Sequence, residues 1–343
     1  MKVAVTGATG FIGRYIVRHL VEQRHECRCW YRTTSDRGGF AALNIQSMEI
    51  LQLPVRELQE RIAKELADNV VPENVKNDGP VVGGDTDDIE WIAGELADGN
   101  EASFVHGCDA VVHAALHHPG GGFRNGEGDL IEFVQKNVVG TLRLIEAARA
   151  AGVGRFVFIS TCAVHEKILD DRPLDEAHPL WATSHYGAHK AAIEKFVHSY
   201  GLGQGYPICA LRPTGVYGVM RPVEQSKWFD LVRAVVRGEN VDCQRGGKEV
   251  HAADVARAVG VLLQADETAI CGEAFNCFDR YISEYDVATL TKQLSGSSSQ
   301  VSGEQTRPKH QIVTDKLRAV GMEFGGDALF EKTVSELIDA ARR

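Results

Sequence analysis

No apolar run in this 343-residue chain approaches the roughly 18 to 20 residues needed to span a bilayer. The first residues read as a strand rather than as a signal peptide, so a membrane or secreted protein is not expected and a cytoplasmic one is. Paired cysteines are also missing. The eight cysteines are scattered with no CxxC among them, and 44% hydrophobic content is enough to fill a core without disulfide staples. Reduced thiols follow. Cys27 and Cys29 alternate with Arg28 along a strand-like segment, which favours packing over metal binding. Positive charge is in deficit, with 37 Lys and Arg against 47 Asp and Glu and a net charge of −10. Non-specific nucleic-acid binding is therefore disfavoured, although a local basic pocket is not.

What the chain does have is punctuation by glycine. The apolar run from Lys2 to Thr6 feeds directly into Gly7-Ala-Thr-Gly10-Phe-Ile-Gly13 and then into an apolar-periodic stretch at 15–22. This predicts strand, tight turn, helix. Glycines let the backbone approach a pyrophosphate, and the free N–H groups and positive end of the following helix favour its charge. The spacing is GxxGxxG, one residue longer in its first interval than the GxGxxG fingerprint, so the context carries more weight than the pattern. Further along, Tyr186 and Lys190 in Ser184-His-Tyr-Gly-Ala-His-Lys190 are four residues apart, which on a helix places phenol and ammonium one turn apart on one face. A cation held there favours the phenolate and lowers a pKa that is ordinarily about 10.

Together these motifs resemble the extended branch of the short-chain dehydrogenase/reductase superfamily, the NAD-dependent epimerase/dehydratase-like proteins. Residues 137–148 look like the helix before a central strand, 155–164 like the strand carrying a catalytic hydroxyl, and 211–218 and 251–256 like further family signatures. The resemblance implies an α/β fold: a Rossmann-type doubly wound parallel sheet with a smaller C-terminal substrate domain and an insertion after the second strand. It implies a Rossmann domain over 1–216, and a smaller domain mainly over 217–343 with 247–278 returning to the larger one.

The resemblance also assigns roles. Tyr186 exchanges a proton with the substrate oxygen while hydride passes between substrate carbon and nicotinamide. Lys190 lowers the phenol pKa and binds the nicotinamide ribose, and Thr161 holds the substrate oxygen, with Ser160 as the neighbouring alternative. Asn137 either completes a proton relay or is a capping or core-bonded asparagine. The cofactor is expected against Gly7, Thr9, Gly10, Phe11, Ile12 and Gly13, with Glu95 and Leu96 at the adenine, Ala114 and Ala115 along the cleft, and Pro213 and Val216 at the nicotinamide. At the end of the second strand, where NAD-binding members carry an acid, this chain has Tyr31 followed by Arg32. An arginine can fork onto a 2′-phosphate, so NADP is favoured over NAD, with Arg37 a possible second cation.

Three functions remain open: a net reductase or dehydrogenase acting on an alcohol or carbonyl, a nucleotide-sugar epimerase or dehydratase with tightly held NAD, and a non-catalytic cofactor sensor. Gly247-Lys-Glu249 stands where many nucleotide-sugar members carry an Arg-Asp pair, which tilts the reading toward the first. A small-molecule substrate and a possible homodimer are expected, with no metal. His117 and His118 are taken as substrate-loop or surface residues. Between Arg32 and Ile89 the chain carries an insertion, about 38–88, with an amphipathic helix expected at 55–69 and an exposed return at 74–88. Its alternatives are a surface lobe or oligomer contact, or a flap near the adenosine end. The serine-rich segment 295–303 reads as a mobile linker.

Overall fold

The computed structural model describes residues 1–32, 88–120 and 126–343. The helix expected at 55–69, the return up to residue 87, Arg37 and residues 121–124 lie outside them.

Short apolar runs build one central sheet. Its strands are β1 (Lys2–Thr6), β2 (Glu26–Tyr31), β3 (Ile89–Ala93), β4 (Ala110–His113), β5 (Arg155–Ile159), β6 (Ile208–Pro213) and a later strand, Glu273–Cys277. All neighbours are parallel, in the order Glu273–Cys277, β6, β5, β4, β1, β2, β3. A parallel sheet covered on both faces needs strands apolar on both sides, and Val3, Ala4 and Val5 or Val111 and Val112 are each fully buried. Strand order reverses between β1 and β4. In such sheets the crevice outside the carboxyl ends at that reversal is where ligands bind.

Helix α1 (Phe11–Glu22) leaves the glycine turn and buries Ile16, Val17, Leu20 and Val21 against the helix Ala252–Gln264 and the sheet. The opposite sheet face is covered by the helix Leu130–Val134, which passes through a π-helical turn, Gln135–Val139, into Gly140–Ala150, and by the helix His185–Gln204. A smaller unit gathers a three-stranded sheet of Gly215–Tyr217, Gly246–His251 and Arg280–Ser283, with the helices Phe229–Val236, Glu284–Ser295 and Gly326–Ala341. Its core joins Tyr217, Phe229, Val232, Val287, Phe330 and Val334. Leu317 and Met322 instead pack into the core of the large sheet, so the segment after Thr314 divides its apolar groups between both units.

The serine-rich segment is not a mobile linker. Ser297 Oγ donates to Val235 O at 2.5 Å and Ser299 Oγ to Glu239 O at 2.5 Å. Val301–Gly303 then pairs in parallel with Val241–Cys243. Serine hydroxyls here bond backbone that the sequence separates by about 60 residues, a partnership that polar composition alone hides.

Candidate active site

The glycine turn is built by close approach. Gly7 adopts φ +71°, and a Cβ there would stand 2.6 Å from the Ala114 carbonyl; a Cβ on Gly13 would stand 2.0 Å from Gly7 O. Only glycine fits either position. Gly10 N–H donates to Gly7 O at 3.0 Å, and the buried Arg14 braces the turn by donating from Nε to Thr9 O at 3.0 Å. The free N–H end of α1 therefore faces the crevice between β1 and β4.

A cavity of about 480 Å³ opens there. Gly7, Thr9, Gly10, Arg32, Glu95, Leu96, Ala114 and Ala115 line it, which brings eight expected cofactor residues to one cleft. Trp30, Gly94, Leu116, His117 and Lys136 complete the wall, and sequence reasoning did not place them in the cleft because they meet there only through the fold. Phe11, Ile12 and Gly13 form the first turn of α1 behind the glycines. Pro213 ends β6 and Val216 pairs with Val250 in the small sheet, so both stand beyond the carboxyl edge rather than in this cavity. A turn this tight, together with a helix N-terminus at the mouth of the cavity, fits a dinucleotide pyrophosphate.

The proton-transfer candidates stand on the helix His185–Gln204. Ser184 caps it, accepting from Gly187 N–H at 3.1 Å, and Gly205 closes it at φ 69°. Glu166 fixes its entry by accepting from Ser184 N–H at 2.8 Å, Ser184 Oγ at 3.0 Å and Thr183 N–H at 2.5 Å. Tyr186 is 8% exposed and hydrogen-bonds Thr161, the hydroxyl that the sequence comparison chose. The alternative, Ser160, is engaged elsewhere, donating to Glu194 Oε1 at 2.5 Å. Glu194 also receives Arg212, Nη2 to Oε2 at 2.6 Å, in an ion pair shut away from solvent.

Lys190 donates from Nζ to Ile159 O at 2.7 Å and lies 4.5 Å from the Phe158 ring centre. Burial pushes its ammonium down to about 7, opposed by Glu194. The phenol itself behaves differently from the expectation of an acidified tyrosine. Burial raises the Tyr186 pKa, and the Thr161 bond only partly offsets this. The helical spacing brings the two groups onto one face, but the low dielectric of that face acts on both.

Asn137 lies in the π-helical turn, buried, with Oδ1 accepting from His117 N–H at 2.8 Å and Nδ2 near His117 O at 2.9 Å and Phe133 O at 3.0 Å. This is the geometry of a core-bonded asparagine that anchors the loop after β4. His189, next to Lys190, packs edge-on against Tyr186 and Phe133 and is pushed by burial to about 2, hence neutral. His113 is likewise neutral, its nitrogens bonded to Thr6 at 2.6 Å and Thr141 at 2.8 Å. His251 caps its helix at Ala253 N–H and reaches Thr333 at 3.1 Å, so the 251–256 signature ties the two units together.

A helix-flanked parallel sheet with a glycine turn at its reversal and a Tyr-Lys helix beside it defines a dinucleotide-dependent enzyme of the extended short-chain dehydrogenase/reductase type. The model of the NAD dependent epimerase/dehydratase family matches residues 3–277, and the chain belongs to that family. A mouse dTDP-D-glucose 4,6-dehydratase is 27% identical over 303 residues, 85% of this chain and 72% of the relative. A Synechocystis chain provisionally assigned as a dihydroflavonol 4-reductase is 26% identical over 186 residues, 54% of this chain and 40% of its own length. Among solved structures, a UDP-glucose-4-epimerase from Stenotrophomonas maltophila with bound NAD superposes with a TM-score of 0.70 at 19% identity, covering 100% of this chain and 98% of the other. A UDP-N-acetylglucosamine 4-epimerase from Methanobrevibacter ruminantium gives 0.69 at 18%, covering 98% and 97%.

Proposed function

We propose that this enzyme moves hydride to or from the carbon of a substrate alcohol or carbonyl, with Tyr186 exchanging the proton on its oxygen. The observation that carries this reading is the hydrogen bond between Tyr186, on its helix, and Thr161, just after β5, with the buried Lys190 one turn along the same helix. A bound nicotinamide dinucleotide supplies the hydride acceptor or donor. Within the chain, Thr161 orients the substrate oxygen, Tyr186 moves its proton, and Lys190 steadies the charge that develops on the phenol. Glu166 and Glu194 hold these groups in register, and Asn137 anchors the cleft wall at His117. Replacing Tyr186 with Phe should lower kcat by at least about a hundredfold while leaving the cofactor Kd within twofold. Retention of full activity would sink the assignment.

Arg32 in the cavity wall, and no acid at Tyr31, support NADP as the preferred cofactor. Gly247, where a diphosphate-binding arginine would stand, supports net redox chemistry on a smaller alcohol or carbonyl. The second reading is a nucleotide-sugar dehydratase or epimerase, favoured by the activity named for the mouse relative. The two separate in one assay: a reductase consumes NADPH in step with a carbonyl substrate, whereas the recycling enzyme retains NAD and shows no net change in nicotinamide absorbance.

A homodimer forms part of the proposal. Leu130, Ile131 and Val134 are exposed on one large-unit helix, Ile131 at 76%, and Phe196 and Leu202 on the helix bearing Tyr186. Sedimentation should show a dimer that Ile131→Asp dissociates; a wild-type monomer would remove this part.

A further inference from the structure

The adenosine end of the cavity contains more cationic and donor capacity than Arg32 alone. Lys136, on the π-helical turn, lines the same wall. Among the described residues it is held by long ion pairs, 3.5 Å to Glu95 and 3.6 Å to Glu132, two carboxylates that are 46% and 55% exposed. Pairs of that length and exposure are weak and readily exchanged for a better-placed anion. His117 stands between the same groups: Nε2 is 3.7 Å from Glu132 Oε1, and the ring feels the positive fields of both Lys136 and Arg32. The two cations therefore share one cavity wall and act on one histidine, although they are 104 positions apart in sequence.

A second observation at this corner points to a ligand. Trp30 is 3% exposed and lines the cavity, yet among the described residues its Nε1–H has no hydrogen-bond partner. The indole is fixed by stacking on Phe104 at 4.3 Å, and Gly94 clears its nitrogen, since a Cβ there would stand 2.6 Å from Nε1. A rigid buried donor left unbonded is costly unless a bound acceptor completes it.

We propose that Lys136 is a cofactor-specificity residue, which turns from Glu95 and Glu132 to join Arg32 on the 2′-phosphate of NADP, with the Trp30 N–H donating to the same adenosine moiety. This rests on the NADP preference proposed above and adds a residue to it. The π-helical turn suits the role: the extra residue in the turn lets Asn137 point into the protein while its neighbour Lys136 lines the cleft.

Titration of the full chain with NADPH and NADH, followed by calorimetry, tests the proposal without turnover. Wild type should bind NADPH more tightly. Lys136→Met should weaken NADPH about tenfold, the scale of one charge-assisted contact, and leave NADH within twofold. Glu132→Gln removes a competing carboxylate and should tighten NADPH about threefold with NADH unchanged, a gain that misfolding cannot mimic. Trp30→Phe should weaken both cofactors. Equal weakening of both by Lys136→Met, or no change in either, overturns the role of Lys136. If Arg32→Ala loses the NADPH preference while Lys136→Met keeps it, the NADP reading stands and only this inference fails. A wild type that binds NADH as tightly as NADPH removes both.

Discussion

Lys190 is the residue whose chemistry the fold alters most. Its ordinary pKa of about 10.4 falls to about 7 through burial, so between those values the unfolded chain binds more protons than the folded one. Stability at this site therefore rises with pH: the penalty is fully present below about pH 7 and fades toward pH 10. Lys190→Met should be more thermostable than wild type at pH 6.5, and thermal melts should show that gap closing by pH 9.5. A gap independent of pH would place the lysine's ionisation elsewhere. On the proposed mechanism stability and catalysis are opposed at this position, because the amine whose burial is costly is the one assigned to steady the phenolate. Tyr186 and Lys190 could be singled out in the sequence only with the glycine turn and the strand before Thr161 beside them, since the spacing alone also fits an exposed helix face. Their shared burial was not legible, since Phe158 reaches Lys190 from β5 and Phe133 packs from another helix on His189, which in turn covers Tyr186.

At the scale of elements, the glycine turn and the strand carrying Thr161 were readable because each is a local pattern: apolar run, turn residues, new period. The supports were not readable. Glu166 at the helix entry and Glu194 beneath Ser160 are ordinary acids in the sequence, and their function exists only where another element supplies the donors. Small residues hold the Tyr-Lys helix just as closely. A Cβ on Gly201 would stand 2.0 Å from Gly272 N, where the chain enters the last strand of the large sheet. Backbone cannot yield there as a flexible side chain would. Gly201→Ala should cost at least about 2 kcal/mol in denaturant unfolding, while the KM of the folded fraction stays unchanged. A neutral effect would mean that helix and strand are less firmly seated than the packing indicates.

Over the whole molecule, the two units share more than a cleft. Tyr15 on α1 donates to Val219 O at 3.1 Å and accepts from Val219 N–H at 3.0 Å, while Arg257 and Gly325 N–H meet on the buried Asp254 carboxylate. These ties predict one cooperative unfolding transition rather than two. Saturation at a hundred times Kd should add about 2.7 kcal/mol and raise Tm for the entire chain, measurable by calorimetry with and without NADPH. Two transitions, only one of them shifted, would show that the units melt separately. The apolar run and glycine turn at the start of the chain, with the strand and helix signatures at 137–164, made the large sheet legible. The division of the C-terminal third was less so, because its strands are three to six residues long and pair across large sequence separations.

One feature of the interior links distant ends of this design. Phe11 meets Tyr15 at 5.7 Å, Tyr15 meets His251 at 5.7 Å, His251 meets Tyr217 at 5.0 Å, and Tyr217 meets Phe330 at 6.3 Å, each nearly edge to face. The first ring belongs to the turn that would cradle the pyrophosphate, and the last to the helix Gly326–Ala341. For anyone engineering this scaffold, that terminal helix is no convenient place to trim or to graft a tag. A change made there disturbs Phe330, one end of a run of touching rings whose other end is Phe11 at the glycine turn.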